Sequence, residues 1–327
     1  MSAFSEKSDI EQPDTDAEES ARETATRPLA PGLYLVATPI GNLGDITLRA
    51  LRVLKGADRI ACEDTRQTQK LLNYYGITTP TISMHEHNEA ERTTELIAAM
   101  LSGSRIAVVS DAGMPGISDP GTHLTQAAIA AGMAVYPVPG ANAGLSALVA
   151  SGLDTQRFLF EGFLSAKASA RQVRLQALRA SLSEPLTLVL YEAPHRIVET
   201  LGDVSLVFGA GCRVVLAREL TKIHEEFLRG TVDEVLTLLK ERDRIRGEMV
   251  LLIEAQPASA DDAHLAIPLL DRIAELEKAE GLSEMDALKK IAKERGVSKS
   301  ELYRELQRAR QNSSSHLSKS RRGAPGD

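Results

Sequence analysis

Two kinds of residue in this chain could do chemistry: carboxylates placed beside basic side chains, and glycine–proline loops that leave backbone amides uncovered. Asp64 and Arg66 lie two apart in Glu63-Asp64-Thr65-Arg66, and Glu219, Lys222 and Glu225 follow one another at three-residue steps. A carboxylate in reach of a hydroxyl can act as a general base, while nearby cations hold phosphates or lower the hydroxyl pKa. Asp64, Glu219 and Glu225 are alternatives for the base, each also of the type found as a surface or helix-capping acid. Arg66, Arg196, Arg218 and Lys222 form the cation set. His195 and His224 suit positioning, and Cys62, inside an apolar run, suits the core.

The loop Ser110-Asp111-Ala112-Gly113-Met114-Pro115-Gly116-Ile117-Ser118-Asp119-Pro120-Gly121 holds three glycines and two prolines. They fix the backbone and let its amides approach a ligand without side chains in the way. Related loops are Thr38-Pro39-Ile40-Gly41-Asn42-Leu43-Gly44-Asp45, Pro139-Gly140-Ala141-Asn142, Tyr191-Glu192-Ala193-Pro194-His195-Arg196 and Ala217-Arg218-Glu219-Leu220. Each follows a short apolar run. The common nucleotide signatures do not explain them: GxxxxGK[ST] is absent, and Gly209-Ala210-Gly211 precedes its strand instead of following it.

These loops need strands to place them on one edge. Gly32–Ala37, Arg59–Cys62, Thr81–Met84, Ile106–Val109 and Ala134–Tyr136 read as strands. Helices are expected between them: one capped by Asp45 with Leu48, Leu51 and Leu54 on one face, Thr65–Tyr75 stopped by Gly76, Asn88–Leu101 and Thr122–Ala131. After Gly152-Leu153-Asp154, strands at Phe158–Phe160, Leu186–Tyr191, Arg213–Ala217, Glu225–Arg229 and Glu248–Ile253 alternate with helices at Ala168–Leu182, from Pro194, and at Thr231–Glu241. Such repeats predict an α/β fold of two α/β domains, 31–152 with mostly parallel strands and 153–256, with a cleft between them lined by the loops. Residues 257–310 read as a small C-terminal helical domain. There Ser283 caps a helix with Met285, Leu288 and Ile291, Gly296-Val297 turns, and Ser298 with Glu301 opens a second helix carrying Leu302 and Leu306. Lys289, Lys290, Lys293, Arg295, Lys299, Arg304, Arg308 and Arg310 decorate this pair, as a solvated face or a nucleic-acid contact.

Composition narrows the classes. Residues 1–30 are acidic and nearly free of large apolar side chains, and 311–327 are serine-rich and basic, so both are expected to be disordered. The net charge of -7 rests largely on the leader, leaving the body free to carry a basic face. No apolar run approaches the ~18 residues of a membrane span. Two cysteines and scattered histidines imply a reducing, cytoplasmic setting and no metal.

The segments Ala37–Asp45, Glu63–Arg66, Ser110–Pro115, Pro139–Asn142 and Tyr191–Arg196, in this order, resemble the tetrapyrrole methylase superfamily. Within it they resemble most its RNA-directed branch, the bacterial 16S ribosomal RNA 2'-O-ribose methyltransferases. The first loop departs from the superfamily's usual Gly-Pro-Gly with Thr38-Pro39-Ile40-Gly41, as that branch does. The resemblance covers roughly Pro31 to Glu254, and the helical end is also similar. It implies a class III S-adenosylmethionine methyltransferase, a homodimer that methylates a cytidine ribose 2'-hydroxyl of 16S ribosomal RNA in the 30S subunit. It also implies that Pro39, Asp111, Ala112, Gly113, Met114, Pro115, Ser118, Ala141 and Asn142 hold the methionine and ribose parts of the cofactor. Tyr191, Glu192, Ala217 and Glu248 would meet the adenosine. Two other readings compete: a tetrapyrrole C-methyltransferase, and a non-catalytic RNA- or DNA-binding factor led by the C-terminal helices.

Overall fold

The computed structural model describes residues 28–85, 87–257, 269–294, 299, 302–304 and 306–307. The acidic leader up to residue 27, the Gly296-Val297 turn, Ser298, Glu301, Arg295, Arg308, Arg310 and the basic tail lie outside the described residues, as does the side chain of Lys293. The chain divides into two compact units, Met1–Ala143 and Gly144–Asp327.

In the first unit, β1 (Gly32–Val36), β2 (Arg59–Cys62), β3 (Thr81–Ser83), β4 (Arg105–Val109) and β5 (Val135–Val138) form one sheet in the order β3-β2-β4-β1-β5. Every pairing in it is parallel. Parallel neighbours need crossovers, and α1 (Leu48–Gly56), α2 (Thr65–Tyr74), α3 (Glu89–Leu101) and α4 (Thr122–Ala130) supply them. Alternate strand residues serve the two faces. Val36, Ala107 and Val109 pack with Val53, Leu54 and Leu72 on one side; Leu33, Ile106 and Val108 pack with Leu96, Met100 and Leu124 on the other.

Local chemistry sets the helix starts. Asp64 caps α2, its Oδ1 accepting the Arg66 amide at 2.8 Å. For α1 the expected cap is corrected: Thr47 Oγ1 accepts the Ala50 amide at 3.0 Å, while Asp45 closes a preceding 3-10 turn, Leu43–Asp45. Leu48, the first residue of the helix, is 86% exposed instead of joining the face with Leu51 and Leu54; Ala50, Val53 and Leu54 make the buried side, with Leu51 half-buried against it.

The second unit contains α5 (Ala143–Ser151, whose first residue closes the first unit), β6 (Phe158–Phe163), α6 (Ala168–Ser181), β7 (Leu186–Glu192), α7 (Ile197–Phe208), β8 (Arg213–Arg218), β9 (Glu226–Thr231), α8 (Val232–Lys240) and β10 (Met249–Ala255). Its sheet runs β6-β7-β10-β8-β9. Here the sheet is mixed: only β6 and β7 pair in parallel, while β10 is antiparallel to both β7 and β8, and β8 to β9. The link from Arg218 to Glu226 is too short for a crossover, which needs about a dozen residues or more. Farther on, α9 (Leu269–Glu280) and α10 (Glu284–Glu294) bury Ile273, Leu276, Leu288 and Ile291 with Leu302 and Leu306 in a core of their own. Ser283 Oγ caps α10 by accepting the Asp286 amide at 3.2 Å, but Met285 is exposed instead of joining that core.

Arg171 of α6 is 1% exposed, and its Nε lies 2.6 Å from Asp203 Oδ2 of α7. Its Nη1 reaches the carbonyls of Ser165 and Ala166, and Gln172 Nε2 donates to the other Asp203 oxygen at 2.6 Å. Removing one partner leaves a buried charge without compensation. Arg171→Met is therefore expected to lower stability by about 3–5 kcal/mol, read by denaturant unfolding, and adding Asp203→Leu should restore much of it. A single variant as stable as the parent contradicts this reading.

Candidate active site

Because the first sheet is parallel, its strands all leave by one edge, and the loops gather there. Thr38 and Pro39 follow β1, Glu63 and Asp64 follow β2, Ser110 and Asp111 follow β4, and Pro139 to Asn142 follow β5. This edge is where open α/β sheets bind ligands. Two loops are joined beyond the strand ends: Thr38 N donates to Gly113 O at 2.9 Å and Gly113 N to Thr38 O at 3.1 Å. The Thr38 hydroxyl donates to Ser110 O at 3.1 Å. Gly113 has φ +80°, and a Cβ on it would stand 3.4 Å from Ile40 Cγ2 and 3.5 Å from Ala141 O. A Cβ on Gly140 would stand 2.7 Å from that of Ala37, so the β1 and β5 loops approach as only glycine allows.

Around this frame Asp111, Ala112 and Ser118 are exposed, Met114, Ala141 and Asn142 half-buried, and Pro39 and Pro115 buried. Ser118 stands at φ +61°, an uncommon conformation for a residue with a Cβ. The loop's far end is anchored by Glu89 Oε1, which accepts the Gly121 amide at 3.3 Å. The sequence offers no reason to separate Asp119 from Asp111, but the structure does. Burial raises the Asp119 carboxyl to about 6; Glu63 and Asp111 push the same way, and Ser110 pulls against them. The buried Cys62 thiol is raised by its own burial, consistent with a core residue.

Asp64 is tied to Arg66, whose Nη2 lies 3.1 Å from its Oδ2, and that hydrogen bonding holds the carboxyl below its usual range. In the second unit, Tyr191, Glu192, Ala217, Glu219, Lys222 and Glu248 come to one sheet edge, since Met249 pairs with both Glu192 and Arg218. Lys222 Nζ sits between Glu219 Oε1 (2.8 Å) and Glu248 Oε2 (2.9 Å). Burial works to lower the Lys222 pKa, but the two carboxylates outweigh it and hold the ammonium above its usual value. Lys222 likewise lowers Glu219. Glu219 N donates to Glu248 O at 2.9 Å, and Glu248 N to Glu219 Oε1 at 3.0 Å. Glu219 and Thr221 both adopt positive φ, +51° and +65°, and Glu225 Oε2 holds this turn by accepting the Thr221 amide at 2.6 Å. Strain of this kind in residues with side chains collects at functional loops.

Three other charged candidates face inward. Glu192 is buried, one oxygen accepting from Arg196 Nε at 2.9 Å and the other from the Thr200 hydroxyl at 2.6 Å. Arg218 is held by Glu226 at 2.9 Å, and Arg242 with Arg218 lowers the Glu226 carboxyl to about 2. The exposed side of this edge therefore belongs to Lys222, Glu225 and Glu248, with Tyr191 braced edge-on by Phe160 and Phe163.

A family model described as Tetrapyrrole (Corrin/Porphyrin) Methylases matches residues 32–236. The chain belongs to the tetrapyrrole methylase family. Among its relatives in that family, proteins named "Ribosomal RNA small subunit methyltransferase I" are 47% identical in Halalkalibacterium halodurans, 48% in Synechocystis sp. and 46% in Escherichia coli O157:H7. These matches cover 79%, 78% and 77% of this chain and 88%, 90% and 88% of the relatives. Two solved structures share the tetrapyrrole methylase fold at low identity. The methyltransferase CobJ aligns with TM-score 0.53 and 18% identity over 69% of this chain and 95% of its own; diphthine synthase aligns with 0.52 and 15% over 68% and 89%.

The raised Asp119 carboxyl gives a test in this family member. The folded state keeps the proton up to about pH 6, whereas the unfolded chain releases it near 3.8. Between those values the native state binds more protons, so the contribution to stability is largest at low pH and falls as pH rises to about 6. Asp119→Asn is expected to flatten that part of the profile and to raise the melting temperature above pH 6. Parallel profiles for variant and parent in thermal unfolding contradict the assignment.

Proposed function

We propose that this protein transfers a methyl group from S-adenosylmethionine to the ribose 2'-hydroxyl of a cytidine in the 16S ribosomal RNA of the small subunit. The observation that carries the reading is identity of 46–48% across most of both chains with relatives named for small-subunit ribosomal RNA methylation. Identity to the aligned CobJ and diphthine synthase structures is only 15–18%.

The first sheet edge fits the cofactor on its own chemistry. Glu63, Asp111 and Asp119 crowd carboxylates together, and a ligand carrying an ammonium and a sulfonium relieves that repulsion. Gly140 lets the β1 and β5 loops close together at this edge, since a Cβ on it would stand 2.7 Å from that of Ala37. When bound, the cofactor supplies a methyl group activated by its sulfonium. Pro39, Asp111 to Pro115, Ser118, Ala141 and Asn142 would hold its methionine and ribose parts; Tyr191, Glu192, Ala217 and Glu248 are assigned to the adenosine.

For the transfer, alignment of hydroxyl, methyl carbon and sulfur supplies much of the rate. Asp64 and Glu219 are weak bases, since each is ion-paired and held below the usual carboxylate range. Among the described residues Glu225 carries no such ion pair, and it is the stronger candidate of the three. Lys222 stays protonated between its two carboxylates and supplies positive charge to an RNA phosphate or to the reacting oxygen. The enzyme would work in the cytoplasm, where its substrate is. Among the described residues no helix is long and apolar enough to cross a membrane. A homodimer is supported by Phe158, Leu159 and Phe163, which stand exposed on β6, the edge strand of its sheet.

Purified 30S subunits incubated with labelled S-adenosylmethionine are expected to gain one ribose-methylated cytidine, located by nuclease mapping. Methylation on a base, or of a tetrapyrrole alone, overturns the assignment. Lys222→Met is expected to slow transfer by about 100-fold while leaving cofactor affinity within a few-fold. Cofactor affinity of the parent should rise with pH through about 6, because a cationic ligand favours ionised Asp119, and the rise should vanish in Asp119→Asn. Calorimetry at several pH values reads this directly, and a flat parent profile contradicts it.

A further inference from the structure

We infer that the outer face of α2 is a track for single-stranded RNA leading away from the active-site edge, an assignment that rests on the functional reading above and extends it. Thr65, Arg66, Gln69, Lys70 and Asn73 line a groove of about 440 Å³, with Thr81 of β3 on its other wall. β3 is the last strand of its sheet, so this groove lies at the sheet's flank. Arg66, Lys70 and Tyr74 follow one another at four-residue steps, with Gln69 and Asn73 beside them, and all five are exposed. Thr68 and Leu72 take the buried side of the same helix.

The donors suit a ribose–phosphate backbone. Arg66 is 88% exposed along its side chain, and among the described residues its guanidinium reaches only Asp64, a carboxylate on its own loop. Lys70 Nζ donates to Gln67 and Gln69 Nε2 to Asn73, exposed neutral contacts that a phosphate or 2'-hydroxyl can replace with stronger charge-assisted ones. Thr65 to Asn73 spans about 12 Å of helix, the length of about three stacked nucleotides.

At the far end of this stripe stands an aromatic ring. Tyr74 is 67% exposed, and Tyr75 braces it edge-on with ring centroids 4.8 Å apart. The Tyr75 hydroxyl donates to the Leu43 carbonyl, which fixes the brace. A cationic and amide-lined groove ending in a braced, exposed aromatic is the arrangement by which proteins hold unpaired nucleotides: charge follows the backbone and the ring stacks on a base. A protein partner would not need that spacing of phosphate donors. The near end carries Asp64 and Arg66, directly after β2, so a strand in the groove leads toward the loops after β2 and β4.

The test uses the full-length protein with Lys70→Glu and Tyr74→Ala, both exposed positions whose thermal unfolding should match the parent. Each is expected to weaken binding of a single-stranded fragment of 16S ribosomal RNA about tenfold and to raise KM for 30S subunits. The S-adenosylmethionine dissociation constant should stay unchanged. Lys70→Ala should make the salt dependence of RNA binding shallower by about 0.7 in the log–log slope, the loss of one phosphate contact on a single strand. Variants that bind the fragment as the parent does, at every salt concentration, overturn the track. Loss of binding to intact subunits with normal binding to the naked fragment overturns it too, in favour of a protein contact. A parent enzyme that methylates no ribosomal RNA sinks the functional reading itself, an outcome distinct from active parent and unaffected variants.

Discussion

The first unit's active edge depends on one reciprocal pair of hydrogen bonds, between Thr38 and Gly113. Beyond the last ladder bonds of a parallel sheet the exposed amides and carbonyls need new partners, or their loops stay mobile. Here each loop satisfies the other, at 2.9 and 3.1 Å, and the Thr38 and Ser110 hydroxyls add bonds to carbonyls of the same turn. The bridge requires the left-handed backbone of Gly113, and the rigidity of the β4 loop follows from it. A Gly-Pro-Gly in the first loop would keep the backbone bridge but lose the Thr38 hydroxyl. The residue that sets this chain apart from the superfamily's usual pattern therefore contributes directly to holding the loop.

The second unit solves the same problem with a different sheet. Its strands do not all run one way, so its edge is built from a strand end, a tight link and a strand start: Arg218, Glu219 to Glu225, and Glu248 before β10. The Glu219 and Glu248 backbone and side-chain bonds close that edge, and Gly247 at φ +95° lets the chain pass directly against the Glu219 side chain. Lys222 is then fixed from two sides. The ammonium is held in a cage of carboxylates, whereas no basic group acts on Asp119 at the first unit's edge.

Much of this was legible because parallel strands and their crossovers write a strong pattern. Ile106–Val109 is apolar without alternation because both its faces are covered, and the loops that follow carry glycine and proline where the backbone turns sharply. Strand direction was not legible in the second unit. Val250 to Ile253 is buried on both faces and reads the same whichever way the strand runs; only the short link from β8 to β9 carried a hint. The α1 start is ambiguous in the sequence because Asp45 and Thr47 are both good caps, and the choice depends on Asp45 being taken into the 3-10 turn Leu43–Asp45. For the site, residue identity was visible but availability was not. Nothing in the order of residues shows that Glu192 is enclosed by Arg196 and Thr200, or that Asp119 is sheltered while Asp111 is exposed.

That difference in availability bears on what the site is built to hold. Asp64, Glu192, Glu219 and Glu226 each have a basic side chain within ion-pair distance, and the carboxyls of Asp64, Glu219 and Glu226 are held low by those partners. Asp119 breaks the pattern: the groups that shift it are two other carboxylates and a hydroxyl, with no cation among them. Burying an acid among acids costs stability. On the proposed reading that cost is offset when the cationic cofactor binds, because repulsion among carboxylates becomes affinity for positive charge. On that reading the edge would select by charge as well as by shape, since a neutral ligand of the same outline would gain the fit without relieving the carboxylates.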